Sequence, residues 1–428
     1  MRHSSPSSIR QLRMLLCIAL ALAITLYASK PGKTADLKLV GDVNHINMEV
    51  AEIETDSIAR FTGKESEQAV TVSPDSVVRW GSLAKPALRP FVLLCDGTEI
   101  IAQNTRSIRR VERDLLFFRS DVFGDVSLPV DSLRAIVLLP PGSHLQRDKL
   151  TARLETRSGP DEVLLTSGDI VRGRFVSMDD RSVTFYSGTR EQTYPRDSIV
   201  MLAFDPKFSE EPSQSPVAIV GLSEGDKLFA ERLMLNDDSF EVELYDGTVL
   251  QSARYIRPVE DRVVSFLQPL SAKVDYLSDH APASYRYVPF LSGHLPYGLD
   301  RDVFGRQLSY GSKSQLVAKG IAMHSTSRLT FSLPTKNYRT FAAELILGQT
   351  ETRPMNGIHG SVIYRVFLKN EDAWREAYKS DIVRRENRTP VRCRVDLANA
   401  SAISLVVDYA DDADVGDHAL WLDARLEQ

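Results

Sequence analysis

The chain has 428 residues, of which 43% are hydrophobic and 25% charged, and a formal net charge of -5. These proportions belong to globular protein and exclude a disordered chain, and the length suggests about two to four domains. The mild acidic balance excludes a nucleic-acid binder, which needs a concentrated basic face to displace phosphate counterions.

At the N-terminus, Arg2, Arg10 and Arg13 flank an unbroken apolar run from Met14 to Ala28. The run has the length of a signal-peptide core and is short for a bilayer span. Residues 1–35 therefore read as a signal peptide, with an uncleaved N-terminal membrane anchor as the alternative. Beyond the run only Cys95 and Cys393 remain. They form neither a disulfide framework nor a CxxC pair. An exported protein so poor in cysteine fits a bacterial envelope, so the expected location is secreted, periplasmic or cell-envelope-associated.

From about Asp36 to Leu270 three signatures recur. One closes a strand pair with Pro and Asp-Ser: Ser73-Pro74-Asp75-Ser76, Pro129-Val130-Asp131-Ser132 and Pro195-Arg196-Asp197-Ser198. Another follows an apolar strand with a tight turn: Cys95-Asp96-Gly97-Thr98, Thr166-Ser167-Gly168-Asp169 and Ser223-Glu224-Gly225-Asp226. The last is an acidic turn before an alternating strand, at Asp179-Asp180-Arg181-Ser182 and Asp237-Asp238-Ser239. Gly supplies positive φ in the turn, and period-2 alternation half-buries each strand. The short side chains of Asp-Ser can cap the backbone where strand becomes turn. The predicted fold is mostly β. Small SH3-like or barrel-like β-meander repeats form units 1 and 2 within 36–140, unit 3 within 163–205 and unit 4 within 217–270. Pro- and Ser-rich linkers are expected at 141–162 and 206–216.

From about Val274 the texture changes to alternating runs separated by polar loops, including a tyrosine- and glycine-rich stretch from Tyr285 to Tyr310. With no helical period, this predicts an antiparallel sandwich over 274–428 with loops free at its ends. Four segments, in order, carry a resemblance: YLSD at Tyr276 to Asp279, KGIAMHS at Lys319 to Ser325, GSVIYRV at Gly360 to Val366, and GDHALWLDARL at Gly416 to Leu426. They resemble the NPCBM/NEW2 family, the novel putative carbohydrate-binding module. The resemblance implies a jelly-roll β-sandwich that binds glycans rather than cutting them. Where the family's usual ending reads DHADWADA, this chain has Leu420 and Leu422.

Strict alternation along the last strand puts His418, Leu420, Leu422, Ala424 and Leu426 on one face, expected to be the core face. Asp417, Ala419, Trp421, Asp423 and Arg425 then share the other, which is either a binding face or a second buried layer. Trp offers sugar C–H groups a flat apolar plane, and carboxylates accept from hydroxyls. The candidate carbohydrate-binding residues are His324, Asp417, His418, Trp421 and Asp423. The alternative is packing, with Asp423 pairing Arg425 or His324. Asp408 to Asp417 sets five carboxylates in ten residues. This reads as a solvated turn or as a structural calcium site using Asp412, Asp414 and Asp417.

No HExxH, GxSxG, P-loop or dinucleotide pattern is present, so a non-catalytic protein is expected. The leading reading is an exported protein that binds glycans through its C-terminal sandwich. Its rival is an envelope structural or protein-interaction scaffold whose sandwich no longer binds sugar, and envelope protein partners could be met through the β-repeats.

Overall fold

The computed structural model describes residues 35–428 apart from 42–43, 55–57, 64–68, 108–109, 113, 209–215, 271–272, 291–292, 312–313, 334–337, 349–359, 372 and 412. The protein is mostly β. Among the described residues the one α-helix is His144–Thr156, and none is long and apolar enough to cross a membrane. The apolar run Met14 to Ala28 lies outside the described residues.

The strands from Ala35–Leu39 to Val264–Pro269 join in one antiparallel network of 22 strands. The repeated motifs explain its construction. In each copy of the tight turn the glycine sits at positive φ, with Gly97 at 90°, Gly168 at 90° and Gly225 at 96°. The same short backbone bonds close each turn, from Gly97 N–H to the Leu94 carbonyl, Gly168 to Leu165 and Gly225 to Leu222. The Pro-x-Asp-Ser segments each form one 3-10 turn, at Pro74–Ser76, Val130–Ser132 and Arg196–Ser198. In two of them the serine hydroxyl donates back to the proline carbonyl, Ser132 to Pro129 (2.8 Å) and Ser198 to Pro195 (2.6 Å). The acidic turn is an Asx turn: Asp179 Oδ1 accepts from the N–H groups of Arg181 and Ser182. Asn236, one position ahead of the second acidic signature, does the same for Asp238 and Ser239.

Each meander is closed by pairing its first strand with its last: Leu37 with Trp80, Leu94 with Leu133, Val163 with Leu202, and Val220 with Leu267. The closing strands then pair between copies, Ile136 with Leu202 and Trp80 with Leu267. One apolar cluster runs through all four meanders, from Leu37 to Leu267. The stretch 141–162, expected as a linker, instead carries the helix. Ser143 caps it by accepting from Gln146 N–H (3.1 Å), and Leu154 is buried among Phe91, Val137 and Met201. The Pro140-Pro141-Gly142 break is the approach to a helix N-cap, which the break alone does not distinguish from a loop.

The C-terminal part is a sandwich of two six-stranded antiparallel sheets. In one, the last strand His418–Glu427 lies between Gly320–His324 and Thr340–Leu347. In the other, Ala402–Tyr409 lies between Ser327–Ser332 and Ser361–Asn370. The core between them holds Phe331, Phe341, Tyr364, Leu405 and Trp421. A second apolar layer covers the outer face of the first sheet, where Val303, Leu308, Tyr310 and Val317 close over Leu420 and Leu422.

The sandwich is docked on the meanders. Tyr276 donates to the Val78 carbonyl (3.2 Å), Leu83 bridges to Leu316, and Leu83, Ile219, Phe266, Leu316 and Ala318 form a shared apolar cluster.

Candidate functional site

The last strand and its neighbour bring two of the predicted residues face to face. His418 pairs in register with His324, and their rings stand 5.1 Å apart at 60°. The rings continue on both sides. Phe304 lies 5.1 Å beyond His418. Tyr287 lies 6.1 Å beyond His324, followed by His294, Tyr285 and Tyr297 at 5.7, 6.0 and 5.0 Å. The outer ring Phe304 is 53% exposed. A separate pair, Phe290 and Tyr409, meets at 6.1 Å, with both rings about half exposed.

Both histidines are neutral near pH 7. Burial pushes His324 down, and burial, with smaller contributions from competition with the His324 imidazole and from the Arg385 charge, pushes His418 down to about 3. His324 Nδ1 lies 2.9 Å from the Ser325 carbonyl and therefore carries the proton, which leaves Nε2 as an acceptor. His418 Nδ1 is buried and has no partner among the described residues. The site thus offers edge-on and exposed ring faces, with the buried imidazole pair behind them. Such a surface suits a ligand with C–H faces and hydroxyls.

Asp417 does not reach a ligand. It is fully buried, with Oδ1 accepting from Ser361 N–H (2.8 Å) and Oδ2 from Ser325 Oγ (2.5 Å). These bonds tie the turn after His324 to the start of a strand in the facing sheet, and so hold the ring row from below. Burial raises its carboxyl to about 7.

Two more predicted binding residues are corrected. Trp421 is 0% exposed, edge-on to Tyr364 at 5.0 Å and beside Phe341, so no sugar can stack on it. Asp423, 1% exposed, is held by the meanders: Arg79 Nε lies 3.0 Å from Oδ2, and Gln268 Nε2 donates to Oδ1 (3.1 Å). Arg425 Nη1 instead donates to the Asp423 main-chain carbonyl (3.3 Å). The reason is a β-bulge. Glu344 faces Leu422 and Ala342 faces Arg425, so Asp423 and Ala424 together oppose Ala343, with Asp423 at φ 48°. The inserted residue shifts the alternation by one. Ala419 and Trp421 face the core before the bulge, and Ala424 and Leu426 after it.

Asp414 Oδ2 accepts from Phe290 N–H (3.3 Å), both Asp417 oxygens are engaged, and Asp412 lies outside the described residues. Among the described residues no group of three His, Cys, Asp or Glu side chains could hold a metal.

The rings of Phe304, Phe290, Tyr409 and Tyr287 were not singled out from the sequence. The signal available was the density of aromatics and glycines between Tyr285 and Tyr310. Trp374, the other exposed aromatic of the sandwich, lies on Ala373–Lys379, an edge strand of the second sheet.

A scan of family models matches the two-sheet body with its closing GDHALWLDARL strand. Residues 273–427 match the NPCBM/NEW2 domain. Within this NPCBM/NEW2 match, the departures Leu420 and Leu422 fall on the outer face under Leu308 and Val317, not on the ring row. No curated protein matches the chain. Among solved structures it is similar to CBM51-2 with the INT domains of Clostridium perfringens ZmpB in complex with GlcNAc. That likeness has 23% identity and a TM-score of 0.31, and covers 46% of this chain and 37% of that one. It is also similar to the CBM51 of Clostridium perfringens GH95 with methyl-galactose, at 24% identity and TM-score 0.30, over 36% of this chain and 99% of that one. A third is the tandem CBM51 modules of Sp3GH98 from Streptococcus pneumoniae, at 10% identity and TM-score 0.31, over 65% and 90%.

Proposed function

We propose that the protein is an exported, non-catalytic binder that holds a glycan on the aromatic end of its sandwich. The observation that carries this reading is the ring row. Within a segment matching the NPCBM/NEW2 domain, rings run unbroken from the buried His324–His418 pair to the half-exposed Phe304, with Phe290 and Tyr409 exposed as a separate pair. Asp417, next to His418 in the chain, is spent on Ser325 and Ser361, which keeps that carboxylate out of general acid–base work. The Arg-flanked apolar run before residue 35 supports export, either as a cleaved leader or as an anchor; recovery of the intact chain from cytoplasm alone would remove that element.

A glycan array probed with the full chain tests the binding. The expected outcome is a defined set of glycans bound. Phe304→Ala and Tyr409→Ala should each weaken binding by roughly 2 kcal/mol, the scale of an aromatic hot spot. Their thermal unfolding should stay near wild type, because half-exposed rings contribute little core volume. An array with no binder, or ring variants that bind unchanged, would leave the scaffold reading.

A further inference from the structure

The junction between meanders and sandwich forms a second site, which approaches the ring row at Arg306, a wall residue of the smaller cavity that lies 5.0 Å over Phe304. Two adjoining cavities, of about 430 and 260 Å³, share Lys227, Arg301 and Gln307 in their walls. The larger is floored by the Asp96-Gly97 turn and Phe229 and roofed by Asp300 and Lys319 of the sandwich. The smaller opens between the helix His144–Thr156 and Lys85. Their size is that of a small-molecule pocket.

The wall of the smaller cavity holds unmet polar capacity. Arg147 is 3% exposed, lies flat over Phe91 at 4.3 Å and gives one nitrogen to Glu99 (2.5 Å). Its Nε has no partner among the described residues. One turn along the same helix face, Thr151 is 2% exposed with Oγ1 equally unpartnered. Leaving such groups unmet costs about 1–3 kcal/mol each, and both atoms lie just beneath the cavity wall. Around them the surplus is cationic. Lys227 Nζ lies 3.8 Å from Glu99, a carboxylate already bonded to Arg147. Lys85 is exposed and has no ion pair among the described residues. Burial raises the carboxyls of Asp96, to about 6, and of Asp148, whereas the Arg147 and Lys227 charges outweigh burial and hold Glu99 below the usual carboxylate range. In the larger cavity Phe229 offers a half-buried ring with Lys227 above it at 5.4 Å, and Asp96, Asp300 and Gln307 offer oxygens to hydroxyls.

We propose that this cleft binds a hydroxylated ring bearing one anionic group, a carboxylate or a phosphate. The anionic group sits toward Lys85, Lys227 and Arg147, and the ring toward Phe229. The site is built jointly by the meanders and the sandwich and does not depend on the glycan reading of the ring row.

Titration calorimetry of the full chain at low salt tests it, with glucuronate, glucose 6-phosphate and neutral glucose as probes. Saturable binding of at least one acid, tenfold or more tighter than glucose, is expected; the preferred acid tells carboxylate from phosphate. Lys85→Glu and Lys227→Gln should each weaken that binding by about tenfold or more, the scale of one charge-assisted hydrogen bond. Their melting temperatures should stay near wild type, and Tyr409→Ala should leave the affinity unchanged. The proposal is overturned if neither acid saturates, if glucose binds as well, or if the two lysine variants bind like wild type. Loss of binding in Tyr409→Ala would overturn it too, by moving the site to the exposed Phe290–Tyr409 pair.

Discussion

Trp421 shows how far a side chain's chemistry can mislead about its role. Its indole has the plane and the N–H donor of a sugar-stacking residue, yet it fills the sandwich core between Tyr364 and Phe341. Trp421→Ala should therefore cost on the order of 3–5 kcal/mol of stability through the cavity it leaves. Thermal unfolding measures this, and a melting temperature near wild type would contradict the packing assignment. His324 and His418 form the complementary case. Their types are ambiguous in sequence, and only ring-to-ring distances of 5.1 Å to each other and of 5.1 and 6.1 Å to Phe304 and Tyr287 make them parts of one surface.

Turns and strand edges are where local sequence was most informative. The glycines at 97, 168 and 225 occupy equivalent turns at nearly the same positive φ, but their surroundings differ. At Gly168 a Cβ would meet nothing within 4 Å, so Gly168→Ala carries the backbone strain alone, about 1–2 kcal/mol. At Gly225 a Cβ would lie 2.2 Å from Pro86 Cα, a contact with backbone that cannot swing away. Urea denaturation should therefore show Gly225→Ala losing clearly more stability than Gly168→Ala; equal losses would mean that Pro86 yields freely. The bulge at Asp423 is an element-scale feature of the opposite kind. Nothing in LWLDARL announces it, because the extra residue is imposed by the partner strand Thr340–Leu347 and by the Arg79 charge from another part of the molecule.

At the scale of the whole molecule, the sandwich is anchored on the meanders by buried polar contacts as well as by the Leu83–Phe266–Leu316 cluster. Arg79 and Asp423 are 5% and 1% exposed at their side chains, and Glu344 adds contacts to Arg79 (3.5 Å) and Lys38. Burial works against the Arg79 charge, and Asp423, Tyr310 and Glu344 together more than offset it, so the guanidinium pKa is raised. Removing one partner strands the other's charge, so Asp423→Ala should cost about 3–5 kcal/mol. The double variant Arg79→Met with Asp423→Leu should recover much of that loss. Denaturant melts of the two single variants and the double form the cycle that checks this; additive losses would show that the two groups do not act as a pair. We further propose segment 206–216, rich in Pro, Ser and charge, as a linker between the third and fourth meanders. The pairing of closing strands nevertheless joins the four meanders into one network.

Alternation, turn glycines, the Pro-x-Asp-Ser closures and the four C-terminal motifs determined, without any structure, that the chain is a series of β-meanders followed by a β-sandwich. Those signals are local: positive φ, a serine capping three residues back and a period of two depend only on near neighbours. The tertiary structure alone decided the helix between the second and third meanders, the burial of Trp421, the capture of Asp423 by Arg79, and the row of rings from Phe304 to Tyr297. Each depends on residues far apart in the chain, such as His418 against His324 or Asp423 against Arg79, and strand register with a single bulge selects which of them meet.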